Sequence, residues 1–436
     1  MSEPAPRLSA GLHARLSLMM FLQYAIWGAW LPLLWPFLTG SRGFDAQQVG
    51  NIFAVGAVGA IVAPFIAGQI ADRYVPTQVF LGVSHLLGAA LVWQLAWLES
   101  YGSFLMFSLV YSLIYAPTLS LTNSLAFHHL PDRDRDFGKV RLWGTVGWIV
   151  VGISLGQWLL RVHTPLDGSE AEVLAAQQEG MADAFRLSAV LGGLLGVYCL
   201  LGLPTTPPSR ESHTAAPLRA VKATLRQPLL MLFLISVPVS CIHQFYFVHT
   251  SGFLAQKQVE LGGSRIAEAI NAVFGVGGAG LMTLGQVAEV IVIGLIAAYG
   301  RGIARKWLLM AGLAAYALRM AVFAYIDLFP EGAQLPVLMA TIPLHGVCFG
   351  CFIFVAFMVV DEEAPRDVRA SAQSLFNLVF VGLGIIVGSL IAGRVAIWAT
   401  TDGVISYGRL FWVPMWASLV CLALMGVGYP RKKIDP

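Results

Sequence analysis

The stretch Leu281-Met-Thr-Leu-Gly-Gln-Val-Ala-Glu-Val-Ile-Val-Ile-Gly-Leu295 places one acid, Glu289, in the middle of an otherwise apolar segment. A carboxylate in hydrocarbon costs several kcal/mol unless it is paired, neutralised or in contact with water. No cation lies beside Glu289 within this stretch. Gln286 precedes Glu289 by three residues, so both side chains share one helix face. The stretch therefore predicts a membrane-embedded helix whose polar face belongs to a substrate or proton pathway.

The composition extends this interpretation to the whole chain. Of the 436 residues, 57% are hydrophobic and 12% are charged, whereas soluble domains are about 25% charged. The net charge is only +3, which gives no reason to expect a nucleic-acid partner. The composition predicts an integral membrane protein in contact with lipid.

The sequence shows no pattern of an enzyme. No phosphate-binding loop or nucleophile–base pair stands out. Cys348 and Cys351 have a spacing found at metal and redox sites. They lie in an apolar stretch without a second thiol pair, so we expect free buried thiols. We therefore expect no enzymatic activity, no cofactor and no metal site.

Apolar segments long enough to cross a bilayer recur along the chain, at about 20 residues for each crossing. We place twelve spans at 14–38, 46–71, 76–97, 102–127, 140–160, 185–204, 228–252, 270–299, 305–326, 335–359, 370–397 and 408–429. The connections on the side of the membrane that holds both terminal segments carry, together with those segments, 18 Lys and Arg residues. The connections on the other side carry 7. Because cytoplasmic loops carry the excess of basic residues, both termini are predicted to be cytoplasmic.

Two sets of six spans flank the connection 205–227, which is rich in Pro, Ser and Arg. We expect an N-terminal bundle (1–204), a cytoplasmic linker (205–227) and a C-terminal bundle (228–436). Val-Arg pairs open span 5 (Lys139-Val-Arg141) and span 11 (Asp367-Val-Arg369), 228 residues apart. Internal symmetry of this kind is typical of transporters built from repeats. The run Gly68-Gln-Ile-Ala-Asp72-Arg73 resembles the loop 2–3 signature of the major facilitator superfamily.

Five further segments resemble the nucleoside:proton symporter family of that superfamily. They are Phe21-Leu-Gln-Tyr-Ala-Ile-Trp-Gly-Ala-Trp30, Tyr115-Ala-Pro-Thr-Leu-Ser-Leu-Thr-Asn123, Arg141-Leu-Trp-Gly-Thr-Val-Gly147, Leu318-Arg-Met-Ala-Val-Phe-Ala-Tyr325 and Val368-Arg-Ala-Ser-Ala-Gln373. The resemblance runs from about residue 14 to residue 429. It implies an all-α membrane protein with the major facilitator fold, twelve transmembrane helices in two pseudo-symmetric six-helix bundles. It also implies proton-coupled uptake of nucleosides through the inner membrane, and we expect a monomer.

Arg141, Thr145 and Trp148 lie at i, i+4 and i+7 and so share one face of span 5. A guanidinium and a hydroxyl supply hydrogen bonds and an indole supplies a stacking plane, which suits a ribose joined to a flat base. The resemblance places an Arg, a Thr and an aromatic residue in the substrate cavity at these positions. Two alternatives stay open: Arg141 is a surface cation paired with Asp136, or Trp148 only packs against lipid or core.

The resemblance assigns further substrate-binding residues, which are Gln244 and Phe247 in span 7, Gln286 and Glu289 in span 8, and His345 and Phe349 in span 10. Phe247 and His345 depart from the family, which has Asn and Tyr there. Gly350 replaces a family acid, so proton coupling rests on Glu289. His345, a residue type that titrates near neutral pH, is the second candidate for coupling. The alternative for Glu289 is a buried neutral acid that is hydrogen-bonded to a neighbouring helix.

Four other polar residues in the spans have no expected role beyond structure. His85 and Arg319 match the family and are expected to pack or to pair helices. His243 and His249 are expected to be structural histidines.

Three rival functions share the predicted fold or the predicted ligand. The first is a carrier for another small polar substrate such as a sugar, because fold does not determine substrate. The second is an uncoupled nucleoside carrier, and the third is a nucleoside sensor that does not transport. Two full bundles argue against the sensor, since a receptor needs no symmetric halves.

Overall fold

The computed structural model describes residues 8–66, 74–208, 217–365 and 368–430. Among these residues, twelve helices are long and apolar enough to cross a membrane, which confirms the predicted number. Spans 1 to 12 are Ala10–Ser41, Ala46–Ala63, Thr77–Leu95, Tyr101–His129, Arg135–Val162, Glu170–Leu201, Leu229–Glu260, Ala279–Tyr299, Arg305–Ala324, Glu331–Glu363, Ser371–Ala399 and Tyr407–Gly428. The predicted signature at Asp72 and Arg73, and Asp367 of the second Val-Arg motif, lie outside the described residues.

Four spans change helical geometry along their length. Span 1 runs as Ala10–Trp30, a 3₁₀ turn Leu31–Leu33, Leu34–Pro36 and a π-helical turn Phe37–Ser41. Span 6 joins Glu170–Gly180 to Ala182–Leu201. Span 10 consists of Glu331–Thr341, Leu344–Val347, a π-helical segment Cys348–Phe354 and Val355–Glu363. Span 11 consists of Arg369–Asn377, a π-helical segment Leu378–Leu383 and Gly384–Ala399. Prolines account for two of the changes, at Pro32 and Pro343, because proline removes a backbone donor.

The remaining elements lie between spans. Helix Pro217–Thr224 lies in the connection between the halves, and helix Arg265–Phe274 precedes span 8. A two-stranded antiparallel hairpin, Thr400–Thr401 with Val404–Ile405, joins spans 11 and 12.

Several predicted span boundaries are wrong: span 6 begins at Glu170 rather than at 185, and span 7 ends at Glu260 rather than at 252. The physical cause is clear at the starts of spans 5 and 8. The span 5 helix begins at Arg133 rather than at 140, because the Asp132 side chain caps it by accepting from the Arg135 backbone N–H at 3.0 Å. Span 8 does not begin at 270. Gly275, Gly277 and Gly278 have φ values of 70°, 81° and 79°, a region that favours glycine, and they separate helix Arg265–Phe274 from span 8.

The packing of the helices repeats between the halves. Span 1 packs against span 5, span 2 against span 4 and span 3 against span 6, and in the second half span 7 packs against span 11, span 8 against span 10 and span 9 against span 12. Each contact in the first half therefore has a counterpart in the second half, between the spans whose numbers are higher by six. The halves contact each other through two pairs of spans, span 2 with span 11 and span 5 with span 8. Exchanging the two halves converts one of these pairs into the other. The expected pair of pseudo-symmetric six-helix bundles is therefore confirmed.

Hydrogen bonds join the two bundles at the end opposite the connection 205–227. Val276 N–H donates to the Gly156 carbonyl at 3.0 Å, and the Gln157 amide donates to the carbonyls of Asn271 and Ala272, each at 3.0 Å. The Ser251 hydroxyl of span 7 donates to the Pro32 carbonyl of span 1. Near the connection, by contrast, Asp136 pairs with Lys139 and Glu362 pairs with Arg305, each within one bundle.

Candidate functional site

Spans 5 and 8 run side by side and bring the two bundles together. A Cβ added at Gly152 would lie 2.9 Å from Cγ2 of Thr283, so the absence of a side chain permits the close approach. The Val276–Gly156 hydrogen bond lies further toward the end opposite the connection. From this contact toward the connection, span 5 presents Trp148, Thr145 and Arg141 while span 8 presents Gln286 and Glu289. The predicted polar faces of the two spans therefore oppose each other across the two bundles.

Arg141 turns toward span 1 rather than toward the surface. Its guanidinium carbon lies 3.9 Å from the centre of the Tyr24 ring, a distance at which the ring attracts the cation. Asp136 is instead held by Arg135 at 2.6 Å and by Lys139 at 2.9 Å. The alternative that Arg141 pairs with Asp136 is wrong, because other cations hold that carboxylate.

Glu289 lies at mid-membrane depth, as the eleventh of the 21 residues of span 8. Its side chain is partly accessible, and it has no hydrogen bond or ion pair with a described residue. The alternative of an acid hydrogen-bonded to a neighbouring helix is therefore not what the described residues show. The charge that acts on the carboxylate is that of Arg141 in the other bundle. Span 8 has no cation beside Glu289, and Arg141 of span 5 provides the positive charge instead.

Trp148 lies in a notch on span 1. A Cβ at Gly28 would come within 2.8 Å of the indole Cδ2. The Trp27 ring meets the Trp148 ring edge-on, with the centres 6.0 Å apart. Trp148 and Thr145 both stay partly accessible. Trp148 therefore packs against span 1 and still has accessible ring surface on which a ligand can stack.

Two amides of the C-terminal bundle lack partners. Gln244, the sixteenth of the 32 residues of span 7, is 5% exposed, and its amide has no hydrogen-bond partner among the described residues. Gln286 is 7% exposed, and its Oε1 is buried without a partner. A buried amide left unpaired costs about 1–3 kcal/mol. Both side chains are thus poised for hydrogen bonds that the described protein atoms do not supply.

His345 differs from the titrating residue that its type led us to expect. It is 1% exposed, and its Nδ1 lies 3.0 Å from Nη1 of Arg319. A guanidinium only donates, so Nδ1 accepts and the ring is neutral. Its use as a second proton carrier finds no support in this geometry.

Aromatic rings surround His345 and lead to the other predicted residues. The Tyr246 ring stacks on it at 4.5 Å and the His243 ring at 5.3 Å. Phe247 meets it edge-on at 5.9 Å, and the Phe349 ring lies 6.5 Å from that of His243. Phe247 and Phe349 are partly accessible, whereas His345 is 1% exposed.

Sequence reasoning missed part of this cluster. His243 was expected to be a structural histidine, and its hydrogen bond to Tyr316 Oη at 2.6 Å agrees with that; the sequence did not predict that its ring stacks on His345. Tyr24 lies in the span 1 motif and was given no role. The spacing of the aromatic residues in span 1 could have indicated this role. Phe21, Tyr24 and Trp27 are each three residues apart, so they lie on one helix face, and all three are partly accessible.

Gly350 packs closely against span 8. A Cβ at this position would lie 2.7 Å from Cγ1 of Val292. Of the acids at the end of span 10, Glu362 pairs with Arg305 at 2.6 Å and Asp361 lies 3.6 Å from Arg369. Glu289 therefore remains the acid at the polar face of spans 5 and 8 among the described residues.

Two histidines have structural roles as expected. His85 Nε2 lies 2.8 Å from Oε1 of Gln23 and joins spans 1 and 3. His249 Nε2 lies 3.3 Å from the Ala392 carbonyl, and its ring centre is 4.2 Å from that of Trp35 in the other bundle.

Twelve spans in two related bundles, with polar faces that oppose each other at mid-membrane depth, define a secondary transporter of the major facilitator class. The sequence model described as "Nucleoside H+ symporter" matches residues 10–433. The putative nucleoside transporter YegT of Escherichia coli (strain K12) is 32% identical over 384 residues, covering 87% of this chain and 83% of that protein. The chain therefore belongs to the nucleoside H+ symporter family, and it is a proton-coupled transporter of that family.

Two further comparisons agree with this assignment. The nucleoside permease NupG of Escherichia coli (strain K12) is 26% identical over 404 residues, covering 90% of each chain. The crystal structure of a mutant of the nucleoside transporter NupG matches with a TM-score of 0.81 at 23% identity, covering 95% of this chain and 99% of that chain. The structural match supports the fold.

Proposed function

We propose that the protein imports nucleosides together with protons across the cytoplasmic, inner membrane. The observation that carries this proposal is the opposition of Arg141 and Glu289 on separate bundles. A substrate between them would touch both bundles at once, and that contact links binding to a relative movement of the bundles. The protein releases its substrate chemically unchanged and is a transporter rather than an enzyme.

The proposed site combines stacking with hydrogen bonding. Aromatic surfaces of Trp148, Phe247 and Phe349 suit the flat base, because ring faces stack on one another. Arg141, Thr145 and the amides of Gln244 and Gln286 suit the ribose hydroxyls and the edge of the base. The full proposed set is Arg141, Thr145, Trp148, Gln244, Phe247, Gln286, Glu289, His345 and Phe349.

Glu289 is the proposed coupling residue. Protonation from outside would remove its charge, and release of the proton inside would restore it. A carboxylate without a hydrogen-bond partner among the described residues is free to make this exchange. A membrane potential of about 100 mV supplies roughly 2.3 kcal/mol for each charge moved. That energy corresponds to a nucleoside concentration ratio of about 50.

Alternating access follows from the way the bundles are joined. We propose that residues 1–204 and 228–436 move as two bodies in a single chain, linked on the cytoplasmic side by 205–227. The bias of basic residues supports cytoplasmic termini. In that orientation the hydrogen bonds of Gln157 and Val276 close the outer end, so the conformation described here is closed to the outside.

The test is uptake of a panel of radiolabelled nucleosides into proteoliposomes, with and without an imposed proton gradient. The proposal predicts accumulation of nucleosides only with the gradient, and no accumulation of sugars. Equal uptake without the gradient would indicate an uncoupled carrier. Binding without flux would indicate a sensor. Either result would overturn the proposal.

A further inference from the structure

Arg319 is a cation sealed inside the C-terminal bundle. It is 0% exposed, its Nη1 reaches Nδ1 of His345 at 3.0 Å, and its Nε and Nη2 have no hydrogen-bond partner. No carboxylate among the described residues forms an ion pair with it. Burying a charge without an ion-pair partner is costly, so a packing role alone does not account for an arginine here. The one hydrogen bond it makes is to a residue of the proposed site.

That hydrogen bond selects one tautomer of His345. A guanidinium has five donors and no acceptor, so Nδ1 of His345 accepts and carries no proton. The neutral ring then carries its proton on Nε2. Nε2 has no hydrogen-bond partner among the described residues.

The surrounding rings hold this arrangement in place. The Tyr246 ring lies nearly parallel to His345, at 19° and 4.5 Å, and also lies under the Arg319 guanidinium at 4.2 Å. The His243 ring lies nearly parallel to His345, at 21° and 5.3 Å. The Tyr316 hydroxyl engages Nδ1 of His243, and its ring lies 5.4 Å from the Arg319 guanidinium carbon. A flip of the His345 ring would exchange Nδ1 for a carbon and break the bond to Arg319.

Titratable groups approach His345 from three spans. Span 9 contributes Arg319 and Tyr316, and span 7 contributes His243 and Tyr246. Span 8 contributes Glu289, whose backbone packs against Gly346, and Cys348 is on span 10 itself. Glu289 interacts electrostatically with Tyr246 and Tyr316. The acid and the arginine are therefore neighbours of the same tyrosines, and the arginine is the group that bonds the imidazole.

We propose that Arg319 is a positioning residue that fixes His345 as a neutral Nε2–H donor for the nucleoside. This inference rests on the proposed function, since it assumes that His345 lines the nucleoside site. The donor would meet an acceptor of the substrate, such as a base carbonyl, a ring nitrogen or a ribose oxygen. His345 then serves recognition, and the transported proton is left to Glu289.

The binding test compares four variants with the wild type: Arg319→Met, Arg319→Lys, His345→Gln and the double variant Arg319→Met/His345→Gln. Nucleoside affinity is measured at pH 7.5 and pH 5.5 on purified protein. We expect Arg319→Met to weaken binding about fivefold at pH 7.5, the effect of one misplaced hydrogen bond. We expect the same weakening at pH 5.5, because His345 is 1% exposed and burial disfavours its charged form with or without Arg319. Arg319→Lys should restore affinity in part, and the double variant should bind no more weakly than His345→Gln alone.

Arg305→Gln is the matched control. Arg305 opens the same span and pairs with Glu362 near the connection, so its loss should leave nucleoside affinity unchanged. Additive effects of Arg319→Met and His345→Gln in the double variant would show a purely structural role and overturn the proposal. Unchanged affinity in His345→Gln would also overturn it, by removing His345 from the site.

A second measurement needs neither a variant that folds poorly nor a nucleoside. Histidine is labelled with ¹⁵N, and the signals of His345 are identified among the 9 histidines by comparison with His345→Gln. The expected spectrum shows a protonated Nε2 and an unprotonated Nδ1, unchanged between pH 7.5 and pH 5.5. The opposite tautomer or an imidazolium would overturn the proposal. Because no nucleoside is present, failure of the proposed function would leave this result intact.

Discussion

Arg141 and Glu289 belong to different bundles, interact electrostatically, and do not form a direct ion pair. The guanidinium rests on Tyr24 instead, and the carboxylate stays partly accessible. Opposite charges held apart at mid-membrane depth strongly attract a polar molecule that hydrogen-bonds to both. The gap between these two residues is therefore the centre of the proposed nucleoside site.

Tyr24 positions Arg141 through its ring face. Tyr24→Ala should weaken nucleoside binding about two- to thirtyfold, because a cation–π contact contributes about 0.5–2 kcal/mol. Tyr24→Phe keeps the ring and should bind like the wild type. Equilibrium binding on purified protein compares the two variants. If Tyr24→Phe binds as poorly as Tyr24→Ala, the hydroxyl rather than the ring face is what matters.

Gly28 makes the notch that holds the Trp148 indole. Gly28→Ala places a Cβ 2.8 Å from the indole, so the ring must move and nucleoside binding should weaken about tenfold. Loss of base stacking on an aromatic ring costs about 1–3 kcal/mol. Gly11→Ala in the same span is the control, because no atom lies within 4 Å of its new methyl group. Full affinity in a folded Gly28→Ala protein would remove Trp148 from the site.

Gly275 closes the bundles at the end opposite the connection. With φ at 70° and ψ at −162°, it has a conformation open almost only to glycine. A Cβ there would lie 1.9 Å from the Gly156 carbonyl carbon. Gly275→Ala should therefore part the bundles at this end and abolish most of the uptake. A cysteine placed at Gln157 should then react faster with a membrane-impermeant maleimide.

Gly263→Ala provides the control for that experiment. It lies in the turn before helix Arg265–Phe274, and no atom lies within 4 Å of its added Cβ. Uptake and labelling should match the wild type. Normal uptake by Gly275→Ala would mean that the contact between Gly275 and Gly156 does not close the transporter.

Hydropathy was enough to predict the twelve spans and the two bundles, because a bilayer requires about 20 apolar residues for each crossing. Hydropathy did not predict where span 8 begins. Residues 270–278 are apolar and rich in glycine, and hydropathy does not register that Gly275, Gly277 and Gly278 have positive φ. Backbone conformation rather than polarity ends the preceding helix.

The candidate site was predictable wherever one helix face carried the signal. Arg141, Thr145 and Trp148 share a face, as do Gln286 and Glu289, and these faces oppose each other in the structure. Contacts between distant spans were not predictable. The bond of Arg319 to His345 joins residues 26 positions apart, and only folding brings them together. Their meeting turns an expected titrating residue into a neutral one.

Gradient-driven accumulation by Glu289→Gln tests the central claim most directly. The amide copies the protonated acid in shape, so the account predicts that the variant exchanges labelled nucleoside across proteoliposomes but does not accumulate it when a pH gradient is imposed. Glu362→Gln, which alters the ion pair with Arg305, is the matched control and should accumulate nucleoside like the wild type. Accumulation by Glu289→Gln at the wild-type level would contradict the assignment of proton coupling to Glu289.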